Sequence, residues 1–225
     1  AGTPASVKTD AQGVTHPRML RRALSKWTEV TNRPGYAWVV MAMGFLAVFG
    51  AIGLGRFGYS AILPEMQTQL GLSGSQAGGL ASWNLAGYVV LAVIGGVLAT
   101  RFGVRLMVSI GVAVATVGMA VTGFADGVGT ASVARLLTGF GGGLVLVPST
   151  ALMSAWFPRR RRGLASGIVS SGMALGLIVS GPLVPRIIGA GGDDGWRMAW
   201  FTLAAMALVL AVANPLAMRN RPHEV

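Results

Sequence analysis

Few residues in this sequence have the chemistry to act on anything. Arg56 and Arg135 are the only basic residues set well inside long apolar runs, and no carboxylate lies within those runs to neutralise them. At about 1.5 Å per helical residue, each falls roughly 10 Å below the same apolar-to-polar boundary. A guanidinium at that depth is costly in lipid, so each must face a helix bundle or a wet cavity. Two readings follow. In one, the planar forks hold an anionic ligand in a shared cavity. In the other, Arg135 braces helices through carbonyls and Arg56 snorkels outward. Asn84 and Tyr88, four residues apart on one helical face, supply either a neutral polar lining or an interhelical hydrogen bond. With Tyr59, these residues make the candidate cavity set: Arg56, Tyr59, Asn84, Tyr88 and Arg135.

No enzyme constellation accompanies them. His16 and His223 lie outside the apolar runs, Ser170 and Ser171 have no base within reach, and cysteine is absent. General acid–base work and nucleophilic catalysis therefore lack their parts. There is no phosphate-binding glycine loop ending in lysine, so ATP-driven work by this chain has no support. Neither a metal nor an organic cofactor is expected.

The elements that must position these residues are membrane helices. The chain has 225 residues, 53% hydrophobic and 11% charged, with a mean hydropathy of +0.64. About 20 apolar residues cross a bilayer core, and the runs of that kind are Tyr36–Leu63, Gln76–Ala99, Val104–Phe124, Val128–Trp156, Gly163–Ile188 and Met198–Met218. The 34 glycines scattered through them point to close helix crossings. Basic residues gather on alternate connections: Lys8, Arg18, Arg21, Arg22, Lys26 and Arg33 before the first run, then Arg101 and Arg105, then Arg159–Arg162, then Arg219 and Arg221. The acids Glu65, Asp126, Asp193 and Asp194 fall on the others. This asymmetry accounts for the net charge of +11 without nucleic acid, and the positive-inside rule predicts both termini cytoplasmic, in what is expected to be a bacterial inner membrane. Residues 1–35 read as a basic cytoplasmic tail in which Met19–Val30 has the spacing of an interfacial amphipathic helix. Residues 36–218 form the transmembrane domain and 219–225 a second short tail. Trp38, Trp156, Trp196 and Trp200, near run ends, read as interfacial anchors.

Gly79-Leu80-Ala81-Ser82 and Gly163-Leu164-Ala165-Ser166 open the second and fifth runs, a weak internal repeat suggesting two inverted three-helix units. Between the second and third runs, Gly96, Arg101, Gly103 and Arg105 resemble the signature loop of the major facilitator superfamily, with Thr100 where that pattern has an acid. Arg135, Gly139 and Gly141 resemble its second signature. Gly172, Gly176 and Gly181-Pro182 form a loose version of its antiporter signature, without the final paired glycines, and suggest helix packing and a hinge. Gly55-Arg56-Phe57-Gly58-Tyr59, Pro64-Glu65-Met66, Gly71-Leu72-Ser73 and Asn84-Leu85-Ala86-Gly87-Tyr88 together resemble the bacterial YbfB/YjiJ-type branch.

The resemblance implies an all-α polytopic fold equivalent to the N-terminal half of a twelve-span transporter. It implies secondary transport of a small solute, with an anion as one option, by alternating access alongside a second six-helix unit. Such a unit would be another copy or a separate chain, with membrane lipids around both. The rival expectation is a non-transporting structural or accessory subunit of a larger membrane complex.

Overall fold

The computed structural model describes residues 34–220, all of whose regular elements are helical. Residues 1–33 and 221–225, and with them the expected amphipathic helix, lie outside the described residues. The chain opens with α1 (Pro34–Val48), a π-helical segment (Phe49–Phe57) and α2 (Gly58–Gln69) in unbroken succession. Next come α3 (Gly74–Phe102), α4 (Val104–Gly123) and α5 (Val128–Trp156). A 3-10 turn (Arg159–Arg161) leads into α6 (Arg162–Gly191), and another (Gly192–Asp194) into α7 (Gly195–Ala217).

Local sequence accounts for several boundaries. Ser73 and Gln76 cap α3 reciprocally: the Gln76 amide donates to Ser73 Oγ at 3.2 Å and the Ser73 amide to Gln76 Oε1 at 2.8 Å. Two otherwise orphaned helix-start donors are thereby satisfied. At the far end of α3, Gly103 adopts φ +90°, which residues with a Cβ resist, and α4 starts at the next residue. By contrast Pro148, Pro182, Pro185 and Pro215 sit inside helices that continue past them.

Because lipid is as apolar as leucine, composition does not say which face of such a helix is buried; close backbone approach does. α5 lies between α3 and α4, and α4 also packs on α7. Gly139 on α5 faces the Asn84 carbonyl of α3, and Gly141 faces the Gly111 carbonyl of α4, each so closely that a Cβ would collide. Gly172 and Gly176 of α6 meet the Phe45 carbonyl and Gly53 in the same way, seating α6 on α1 and the π-helical segment. Gly181 differs, since a Cβ there would meet nothing within 4 Å, and α6 runs through Pro182 without a break. Two buried apolar clusters fill the bundle. One centres on Val48, Ile52, Val112, Val145 and Met153, and the other on Leu54, Ile62, Met119, Trp200 and Leu203.

Among the described residues, five continuous helical stretches are long and apolar enough to cross a membrane, rather than the six separate spans expected. The difference lies in the last two expected spans, which join in one 59-residue stretch, Arg159–Ala217, bent at Gly192, where φ is +57°. Counted as one crossing each, five stretches do not return the chain to the side on which it starts. The expectation that both termini are cytoplasmic is corrected accordingly.

Candidate functional site

The π-helical segment carries Gly53 and Gly55, whose missing side chains let it press against α6 and α5, and it delivers Arg56 half-buried at its end. Single π turns are frequent at functional positions because they re-aim the side chains that follow. Arg56 lines a shallow crevice open to the outside. Ala51, Ile52, Asn84, Tyr88, Thr138, Gly139 and Gly142 complete its walls. The Arg56 guanidinium carbon lies 5.7 Å from the Tyr88 ring centroid, and the side chain makes no hydrogen bond or ion pair among the described residues. A cation over an aromatic face keeps part of its attraction while leaving its donors free.

Asn84 is 3% exposed and its Nδ2 donates to the Arg135 backbone carbonyl at 3.1 Å. The amide thus ties α3 to α5, and its remaining surface forms part of the crevice floor.

Arg135 occupies a different environment. Its side chain is 1% exposed and does not line the crevice. Nη1 donates to the Gly55 carbonyl at 2.8 Å, and the guanidinium carbon lies 4.6 Å from the Tyr59 ring centroid and 5.3 Å from that of Trp200. Tyr59 and Trp200 are stacked, with centroids 6.5 Å apart and planes at 30°, and Tyr59 Oη donates to the Ala77 carbonyl at 2.9 Å. A carbonyl and two π faces compensate this charge in place of a carboxylate. Nη1 makes its one side-chain hydrogen bond, and Nε is buried without a partner. The structure therefore brings Arg56, Asn84 and Tyr88 together, and sets Arg135 with Tyr59 behind them.

Trp200 was not anticipated here. Trp196 and Trp200 are 1% and 0% exposed, so the interfacial-anchor expectation is corrected for both. The available signal was their spacing with Leu203 and Ala207, which puts all four on one face of α7. Trp38 is 47% exposed, whereas Trp156 is half-buried beside Tyr36, with ring centroids 5.8 Å apart.

At the far end of α3, the Arg105 amide donates to Asn220 Oδ1 at 2.7 Å and its Nε to the Pro215 carbonyl at 2.8 Å. The α3–α4 turn is thereby fastened to the end of α7. Gly103 supplies the turn, Gly96 makes ordinary contact with Val147, and exposed Arg101 lies over Phe102. Thr100 Oγ1 closes on the Val97 carbonyl of its own helix at 2.7 Å, so it does not reach a neighbouring helix as a longer acid would.

A glycine-crossed bundle of membrane-length helices, with one charged crevice and a turn latched by arginine, defines an all-α polytopic membrane protein resembling roughly half of a twelve-helix transporter fold. The chain belongs to the Major Facilitator Superfamily, whose family model matches residues 45–225. The chain is 29% identical over 181 residues to the "Hexuronate transporter" of Bacillus subtilis (strain 168), covering 80% of this chain and 42% of that protein. It is 30% identical over 172 residues to the "Probable sulfoacetate transporter SauU" of Cupriavidus necator, covering 75% and 39%. The partially occluded inward-open xylose transporter XylE from E. coli superposes with a TM-score of 0.73 at 18% identity, covering 84% of this chain and 51% of that one. The chain thus spans about two fifths of the length of these curated relatives.

Proposed function

We propose that this chain supplies half of a secondary transporter that moves a small anionic solute by alternating access, with a second unit of its kind closing the cavity. The carrying observation is Arg56: half-buried, without a counter-charge, and facing an open crevice beside Asn84 and Tyr88. A desolvated guanidinium with free donors attracts carboxylate, sulfonate or phosphate through paired hydrogen bonds. The names of the two relatives agree with this reading, since a hexuronate and a sulfoacetate are both anions. Membership of the YbfB/YjiJ-type branch and construction from two inverted three-helix repeats belong to the same proposal and rest on the sequence motifs.

Within this reading, Arg56, Asn84 and Tyr88 meet the solute, while Arg135 and Tyr59 hold the wall behind it. Gly96, Arg101, Gly103 and Arg105 form the loop that changes partners between conformations. Gly139, Gly141, Gly172 and Gly176 are the tight crossings on which helices turn, with Gly181 and Pro182 the looser point on α6.

A thermal-shift panel on detergent-purified protein tests it, using glucuronate and sulfoacetate as anions and xylose as a neutral control. The anions should stabilise the wild type, and Arg56→Gln should lose that stabilisation at unchanged folded yield. Stabilisation that persists undiminished in Arg56→Gln sinks the anion site.

A further inference from the structure

The bundle carries a second crevice, distant from Arg56 and unused by the proposed transport reading. It is a shallow crevice between the first turns of α1 and α6, open to the outside. Trp38, Met41, Phe157, Leu164 and Ile168 make its walls apolar, and Arg161 stands at its edge. Trp38 and Phe157 meet edge to face, with ring centroids 5.7 Å apart and planes at 83°, forming a rigid aromatic side to the slot.

The charge around this slot has one sign. Arg159, Arg160 and Arg161 are exposed, and their side chains make no hydrogen bond or ion pair among the described residues. Arg162 uses only Nε, donating to the Phe157 carbonyl at 3.1 Å. None of the four acids among the described residues belongs to the start of α1, the Arg159–Arg161 turn or the start of α6: Glu65 is late in α2, Asp126 between α4 and α5, and Asp193 and Asp194 between α6 and α7. The first turn of α6 adds a further attraction. No side chain caps its start, and the helix dipole there favours an anion. Nothing lies within 4 Å of where a Cβ on Gly163 would be, so that turn can be approached closely.

An apolar slot with exposed, unpaired arginines at its edge matches one chemistry: a hydrocarbon chain attached to a phosphate. We propose that this crevice is a specific site for an anionic phospholipid, with an acyl chain against Trp38, Leu164 and Ile168, and the headgroup phosphate at Arg159–Arg161 and the start of α6. A zwitterionic lipid fits the slot equally well, but its own ammonium competes for the phosphate and its net charge gains nothing from the arginines. The arginines, left idle by the fold, acquire a partner through this lipid.

The test measures lipid binding to the detergent-purified protein by thermal shift and native mass spectrometry. Dioleoylphosphatidylglycerol, dioleoylphosphatidylcholine and inorganic phosphate are the three probes. Phosphatidylglycerol should stabilise and remain bound, while phosphatidylcholine and free phosphate should not. Replacing Arg159, Arg160 and Arg161 together with Gln should weaken phosphatidylglycerol binding by roughly 100-fold, taking about a factor of five per arginine near a headgroup. Leu164→Trp, which fills the slot and keeps every charge, should weaken it as well. Should Leu164→Trp fail to fold, brominated-chain phosphatidylglycerol replaces it as the measure of the slot: it should quench the fluorescence component that Trp38→Phe removes, more strongly than brominated phosphatidylcholine does. Equal binding of the two lipids, full stabilisation by phosphate alone, or retention of binding in either variant overturns the site. So does the absence of any lipid effect, which leaves the slot to be covered by another part of the protein.

Discussion

Two arginines, one on α5 and one at the end of the π-helical segment, show how differently one side chain can be used. Arg135 is enclosed: its charge is spread over a carbonyl of the π-helical segment and the faces of Tyr59 and Trp200. Arg56 is open: it touches one ring face, keeps its donors free and looks into a crevice. Gly139 and the Asn84 carbonyl, in direct contact, border the Arg56 crevice, and Asn84 Nδ2 bonds the Arg135 carbonyl. A buried charge whose surroundings already compensate it can stiffen a wall, but cannot gain much by meeting a ligand. A half-buried charge without compensation gains in proportion to what the ligand supplies. The pair teaches that depth in the membrane is a poor guide to function, and that the number of donors left over is a better one.

The Gly139 contact gives the largest expected effect. Gly139→Leu forces α5 away from α3, and overpacking at backbone contact should cost about 3 kcal/mol or more. Thermal unfolding in detergent should fall steeply, and anion stabilisation should disappear with it. A Gly139→Leu protein of wild-type stability breaks the claim that α3 and α5 cross here at backbone contact.

A smaller effect distinguishes the arginines directly. Arg135→Gln removes a charged hydrogen bond and two cation–π contacts from a dry site, a loss of about 2–3 kcal/mol in stability. Arg56→Gln removes nothing the fold uses and should leave stability within about 0.5 kcal/mol of wild type. Equal losses in both variants, read as detergent melting temperatures, erase the distinction.

Binding should show the reverse order. Arg56→Gln should weaken the affinity for glucuronate or sulfoacetate about tenfold, the size expected for a lost hydrogen bond to a charged group. Isothermal titration of the purified protein measures it. Anion affinity that falls only in step with folded protein, and only in Arg135→Gln, would transfer the site to the enclosed arginine.

The smallest effect sharpens the aromatic half of the comparison. Tyr59→Phe keeps the ring over Arg135 and removes only the Oη bond to the Ala77 carbonyl, so about 1 kcal/mol of stability should go without any change in anion affinity. Tyr88→Leu should do the opposite, weakening anion binding about threefold by loosening Arg56, with stability unchanged. An exchange of these two signatures would show that the ring contacts have been assigned to the wrong sites.

Much of this molecule was legible as a string of letters. Apolar runs near the length of a bilayer crossing, bounded by arginines and glycines, dictate membrane helices because no other element satisfies its own backbone in hydrocarbon. The spacing of Gly139 and Gly141 after Arg135, and of Gly172 before Gly176, marked helix crossings that the structure displays as backbone contacts. The candidate polar residues were also visible, because polar side chains inside apolar runs are few. Other features depended on three dimensions. Helical periodicity places Trp200 on a face but does not say whether that face meets lipid or Arg135, since both environments accept an indole ring. Nor does a run of apolar residues disclose that Phe49–Phe57 winds as a π-helix, or that the last two expected spans join through a bent turn at Gly192. The sequence by itself determined that two arginines lie deep in the apolar runs without acids beside them. Only the tertiary structure decided which of them is compensated, because the compensating groups, Gly55 and Tyr59 on one side and Trp200 on the other, come from helices far apart in the chain.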